Sequence, residues 1–351
     1  MLYKPNWEKV KEKYIEYWSG ENHDRPILSV TAPKNEQIFM TMPSFNSLKE
    51  RWLDTEYMLR KANLDMANTY YGGDSFPCLS PNLGPDVFSA LYGTMIEFGE
   101  DTSWAMHNLE DWSEYGAFKL EQRNGYYEKI VEMTKAAIED GKDRYFVGIT
   151  DIHPGMDALV SMRGPEQLCI DALECPEVLQ KASMELFGGF KTFYSELYDI
   201  TAKYQPGSSN WMGIWHPKRW YVTSCDFACL ISPEMFERLV VDELKAELNF
   251  LDASMFHLDG PGALVHLDRL LENKELDGIQ WVYGAGQPTA SHWIDVLKRI
   301  QDAGKIFQIN AEPEELPVLL ENLKPEGAMY VVRAKSESEA KEIEKIAGFK
   351  G

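Results

Sequence analysis

"SMFHLDGPGALVHLDRLLENKELDGIQWVYGAG", residues 254–286, reads as a strand, a helix and a second strand in close succession. An apolar run ends in "HLDG", the helical pattern "ALVHLDRLLEN" follows, and the run "DGIQWVYGAG" comes next. Short apolar runs alternating with helical spacing indicate βα units and a parallel sheet. Residues two apart on a strand share a face, so His257 and Asp259 leave this one together while Leu258 turns toward the helices.

The rhythm extends both ways. Downstream lie helix "SHWIDVLKRIQDAG", strand "KIFQINAE", helix "PEELPVLLENL", strand "AMYVVRA" and helix "SESEAKEIEKIAG", in units about 25 residues apart. Upstream, "PILSVTAP", "DMANTYYGGDSFP" and "RYFVGITDIHPG" read as strands. "SSNWMGIWHPKRWYVTSCDFA" reads either as one long strand or as a hairpin turning at His216–Lys218. Ser232 is an N-cap with Pro233 at the first helical position of "SPEMFERLVVDELKAELNFLD". With the ambiguous segment counted once, about eight strands are each followed by a helix. The expected fold class is α/β, a single (β/α)8 TIM barrel over residues 1–351, with 1–24 as an N-terminal helical extension. A doubly wound open sheet competes, but the first turn lacks the G-x-G-x-x-G phosphate fingerprint.

Composition narrows the function classes. The 351 residues carry a formal charge of −21, from 56 acidic and 35 basic side chains. That surface repels phosphate backbones, so neither nucleic acid nor an anionic membrane is an expected partner. No apolar run approaches the ~18 residues of a membrane span, and the start lacks the order of an export signal. The expected location is the cytoplasm. Five scattered cysteines argue against a disulfide framework, and "CDFAC" reads as buried thiols rather than a zinc motif.

In a barrel, chemistry gathers at the strand carboxyl ends. Those ends offer Asp74, then Asp151 and His153, then Trp215 and His216 with Asp226 further on, then His257 and Asp259. Trp281 and Tyr283, Asn310 and Glu312, and Arg333 complete the series. His257, Asp259, His153 and Asp74 are the expected catalytic groups, with His257 and Asp259 able to ligate a divalent metal, zinc or another. Trp215, His216, Trp281, Tyr283, Asn310 and Glu312 are the expected substrate contacts. His266 and His292 fall in helical patterns and His23 in a loop, so they read as packing or surface residues. Trp7 and Trp18 read as core.

Several segments together resemble a known superfamily. "HLDG" resembles the H-x-C-G segment of corrinoid-linked methyltransferases in the uroporphyrinogen decarboxylase superfamily. "ITDIHPGMDALVSMRGPEQLCIDALECPEVL", "DFACLISPEMFERLV" and the opening "DRPILSV" are similar to further segments in the same order, so the likeness runs from about Asp24 to the C-terminus. The resemblance implies a (β/α)8 barrel with its cleft at the strand carboxyl ends. It also has departures. The arginine-rich segment that binds propionates in the decarboxylase is replaced by "APKNEQIFMTMPSFN", and its late G-H-G by "AMYVVRAKS". True uroporphyrinogen decarboxylation is therefore not expected. Asp259 stands where the methyltransferases place their first zinc cysteine, and no cysteine lies near Arg333–Ser336. The implied metal set is harder than the family's, which argues against a thiol acceptor.

Three functions are carried forward. The first, taken from the resemblance, is methyl transfer to an acceptor other than a simple thiol, with a corrinoid carrier protein or another one-carbon donor as partner. The second is metal-assisted or acid–base lyase or hydrolase chemistry on a small polar substrate. The third is a non-catalytic barrel that binds a small ligand. Pairing into a homodimer stays open.

Overall fold

The computed structural model describes residues 1–120 and 123–349. Its central element is a mixed seven-stranded sheet. In chain order the strands are β1 (Ile27–Pro33), β2 (Thr69–Gly73), β3 (Cys78–Leu79), β4 (Met95–Phe98), β5 (Ser103–Met106) and β6 (Phe146–Val147). The rest are β7 (Trp220–Ser224), β8 (Ala253–Asp259), β9 (Gly278–Val282), β10 (Ile306–Asn310) and β11 (Ala328–Arg333). The sheet runs β2-β1-β11-β10-β9-β8-β7, with parallel pairing throughout except between β2 and β1. β3 pairs parallel with β6, and β4 with β5 forms a separate antiparallel pair. Strands from β7 to β11 are apolar and buried along nearly all their length, as expected of parallel strands covered by helices.

The continuous ladder does not close, and here the fold departs from eight parallel strands. Two local causes are visible. β2 turns back along β1, which Gly73 permits: its φ is +54° and a Cβ there would lie 2.3 Å from the Leu28 carbonyl oxygen. The next stretch carries Pro77 and Pro81, which have no N–H to donate, so β3 shrinks to two residues. Backbone hydrogen bonds still cross the gap, from Phe146 to Pro77, Gly148 to Leu79 and Ile149 to Ser209.

The ambiguous central segment is neither a single strand nor a hairpin at His216–Lys218. Ser208 and His216 bridge antiparallel around a tight loop, and β7 starts only at Trp220. The helix expected from Ser232 begins at Pro233, with Ser232 Oγ accepting from the Met235 amide, and is broken at Val240 into Pro233–Leu239 and Val241–Phe250.

The N-terminal helix Trp7–Ser19 covers the amino ends of the strands. Tyr17 donates to the Phe307 carbonyl at 2.9 Å and Trp18 Nε1 to the Trp215 carbonyl at 3.0 Å. Trp7 packs on Phe76 and edge-on against Trp215. With the amino ends plugged, the accessible face is the one where β7 and β8 finish. Among the described residues no helix is long and apolar enough to cross a membrane.

Candidate active site

The register of the sheet sets the site. Ser224 on β7, His257 on β8, Gln280 on β9 and Gln308 on β10 are successive cross-strand partners and form one row that runs from the carboxyl end of β7 to the middle of β9 and β10. His257 Nδ1 lies 2.5 Å from Gln280 Oε1, and Gln280 Nε2 donates to Gln308 Oε1 at 2.7 Å. The other ring nitrogen, Nε2, faces Asp226 Oδ1 at 3.9 Å. Asp226, His257 and Asp259 each offer a ligand atom, all within 4.8 Å of one another. Trp211 stands edge-on to His257 at 5.6 Å between ring centroids.

These groups fit a divalent ion. The 3.9 Å separation between His257 and Asp226 is too long for a hydrogen bond. It is within the span of one ion with bonds of ~2.0–2.2 Å to imidazole nitrogen and carboxylate oxygen. One nitrogen and two carboxylates make a hard donor set suited to zinc with water or to other divalent ions. Burial, then the Asp226 charge, pushes the Asp259 carboxyl up, with His257 pulling the other way. Cys225 is buried, whereas Cys229 is exposed beside the cluster; burial, then the charges of Asp226 and Asp259, raises its thiol and keeps it protonated.

A second group adjoins the first. His153 lies between β6 and the helix that opens at Gly155, and its Nε2 is 2.9 Å from Asp151 Oδ1 while Nδ1 is 2.7 Å from Ser224 Oγ. Ser224 gives its single proton to Asp157 Oδ2 at 3.2 Å, so it accepts from His153 Nδ1–H. Nδ1 therefore carries a proton, and the Asp151 carboxylate beside Nε2 forms an ion pair with the ring, so both neighbours favour the imidazolium. Burial opposes that charge, but Asp151, Asp157 and Asp226 together outweigh it and lift His153 to about 10. Asp157 itself is raised to about 6, by burial first and the Asp226 charge second.

A cavity of about 260 Å³ opens beside His153. Asp86, Asp157 and Asp226 line its polar side, and Val160, Phe227 and Leu230 its apolar side. Among the described residues no lysine or arginine lines it.

The structure brings His153, His257 and Asp259 of the expected residues to this end of the sheet, and it disperses the rest. Asp74 lies at the opposite end, because antiparallel β2 delivers it beside Leu28 at the start of β1. There it is buried and takes a bidentate grip from Arg25, at 2.5 and 2.9 Å. Trp215 and His216 precede β7 and sit under the N-terminal helix, where burial drives His216 down to about 4. Trp281 occupies the opposite parity to Gln280 and packs outward on Trp293, fully buried. Tyr283 and Glu312 are neighbours past β9 and β10, where burial, Glu315 and Glu312 raise the tyrosine hydroxyl. Asn310 is exposed at the end of β10. None of these seven walls the cavity.

Asp157 and the two glutamines were missed. Asp157 lies four residues after His153, in the first turn of the helix that opens at Gly155, which is a readable spacing. Gln280 and Gln308 interrupt otherwise apolar strands, and a buried polar group is more informative than an exposed one.

No family model matches the chain, and no curated protein matches it. Among solved structures it is similar to a protein of Bacteroides thetaiotaomicron VPI-5482 provisionally assigned as an alpha-L-fucosidase. That likeness has 11% identity and a TM-score of 0.28 over 94% of this chain and 95% of the other, a level that carries no argument.

Proposed function

We propose that the chain is an enzyme that uses a divalent cation held by Asp226, His257 and Asp259 to act on a small polar substrate in the adjoining cavity. The carrying observation is the three donor atoms within 4.8 Å, with a histidine nitrogen and a carboxylate held at a distance that suits a shared ion and not a hydrogen bond. A bound ion would supply Lewis acidity at the cavity edge. His153, charged and held between Asp151 and Ser224, lines the cavity as a fixed positive charge. Asp157, raised to about 6 on the same wall, is placed to pass a proton to or from the substrate, while Phe227 walls the apolar side. The carboxylate-rich lining favours a neutral or cationic substrate over an anionic one.

The strand order and the hydrogen bonds crossing from 77–79 through 146–149 to 209 support reading the fold as an interrupted (β/α)8 barrel with this site at its mouth. The likeness of "HLDG" and its flanking segments to corrinoid-linked methyltransferases favours methyl transfer as the particular reaction, with a corrinoid carrier protein as partner. The hard ligand set favours a lyase or hydrolase instead.

The test is to load the protein with cobalt(II) or zinc(II), remove the excess and count the ions. One ion per chain is expected, lost in His257→Ala and strongly weakened in Asp259→Asn, with melting temperature unchanged in the metal-free variants. Less than a tenth of an ion per chain in the wild type would overturn the reading.

A further inference from the structure

His257 can bind a cation through Nε2 only if its proton sits on Nδ1, and the row of polar side chains on β8–β10 determines where that proton goes. The direction of the row starts at a backbone group that cannot be reversed. Gln308 Nε2 lies 3.5 Å from the carbonyl oxygen of Met212, which only accepts, so the Gln308 amide nitrogen must face it. Gln308 Oε1 then faces β9 and accepts from Gln280 Nε2 at 2.7 Å. That leaves Gln280 Oε1 toward His257, and an acceptor there requires a proton on Nδ1. Gln280 and Gln308 are buried, so neither amide can exchange its partner for water.

We infer that Gln308 and Gln280 are positioning residues that hold His257 as the Nδ1–H tautomer, so that Nε2 presents a lone pair to the space it shares with Asp226 and Asp259. The inference rests on the proposed cation site for its purpose, but the tautomer itself does not depend on any ion. Met212 follows Trp211, which packs on His257, so one short loop sets both the ring's edge contact and its protonation pattern.

Nitrogen-15 NMR of the histidine rings in metal-free protein, at an alkaline pH where imidazole is neutral, reads the tautomer directly. In the wild type His257 should be Nδ1–H. Gln308→Met, close in volume and remote from the ring, removes the partner that orients Gln280. Its amide is then free to flip, Nε2–H should grow in, and cobalt(II) affinity should fall about 10–100-fold, the usual cost of losing an outer partner. Gln280→Glu presents an acceptor to His257 whichever way it turns. The double variant Gln308→Met/Gln280→Glu should therefore recover both the tautomer and the affinity, which a purely structural defect would not allow. An Nε2–H tautomer in the wild type, or an unchanged tautomer in Gln308→Met, would overturn the inference. A wild type that shows Nδ1–H and takes up no cobalt would instead refute the cation site and leave the relay standing.

Discussion

Asp74 and Asp259 are both aspartates just past a β-strand core, and they do opposite things. Asp259 ends a parallel strand and emerges at the open face. Asp74 follows an antiparallel strand, so it emerges at the plugged face, buried against Arg25 with a third contact from the Leu28 amide. Strand direction cannot be read from one residue's neighbours, because pairing is set by groups far away in sequence. The parity of Trp281 was readable, since the residue beside an inward Gln280 must point outward. Nearness to a strand end does not decide which side of the sheet a side chain takes. Removing one partner of a buried ion pair leaves the other uncompensated, at a cost of about 3–5 kcal/mol. Asp74→Ala should therefore lower unfolding free energy by about that amount in a denaturant titration and leave cobalt(II) affinity unchanged. A variant of wild-type stability, or one with weakened metal binding, would contradict this placement.

Among the elements, the helix Val241–Phe250 carries an expense that no sequence pattern announced. Glu243 and Glu247, one turn apart, are both buried, and Glu243 Oε1 has no hydrogen-bond partner. Periodicity treats an acidic residue as a marker of the exposed face, yet both are buried, and Glu243 reaches Gly155, where an added Cβ would lie 2.9 Å from its Oε2. Burial is the main cause that raises Glu243 to about 8, and burial with the Glu243 charge also lifts Glu247 well above the usual carboxyl range. Carboxyls whose folded values exceed their unfolded ones add stability below about 4.5, and that stability is lost as pH rises through the folded values. Each pH unit separating a folded value from its unfolded one is worth on the order of 1.4 kcal/mol, so the fold should lose a few kcal/mol between pH ~5 and ~8. Thermal melts in Glu247→Gln, which keeps a hydrogen-bonding head and drops one charge, should show a flatter slope over that range. An equally steep slope would assign the loss to other groups. The helix just before it, Pro233–Leu239, shows what was legible: its start and its Ser232 cap are in the sequence. The break at Val240 is not, because Val240 is a buried apolar residue and no glycine or proline stands at it.

Over the whole molecule, the site and the surface have the same sign. The chain carries −21, and the cavity lining contributes Asp86, Asp157 and Asp226 against the single cation His153. A field of that sign concentrates cations at the mouth and repels polycarboxylates, which agrees with the missing arginine-rich segment after β1. The order of strands and helices could be read because it depends on local periodicity. Closure of the sheet could not, since it depends on whether two-residue strands such as β3 and β6 find partners across a gap. If the field serves the site, cobalt(II) should associate faster at low ionic strength, where the screening length is ~30 Å at 0.01 M salt against ~8 Å at 0.15 M. Stopped-flow absorbance should show the association rate falling about tenfold over that interval, with little change in dissociation, because the ligands in direct contact with the ion are barely screened. Substituting Glu243 and Glu247 would not test this, since both are buried. Neutralising exposed acids such as Glu234 and Glu237, on the helix that follows Asp226, should flatten the salt dependence and leave ligand geometry intact. A rate indifferent to salt would mean that the acidic surface serves solubility and has no part in delivering the cation.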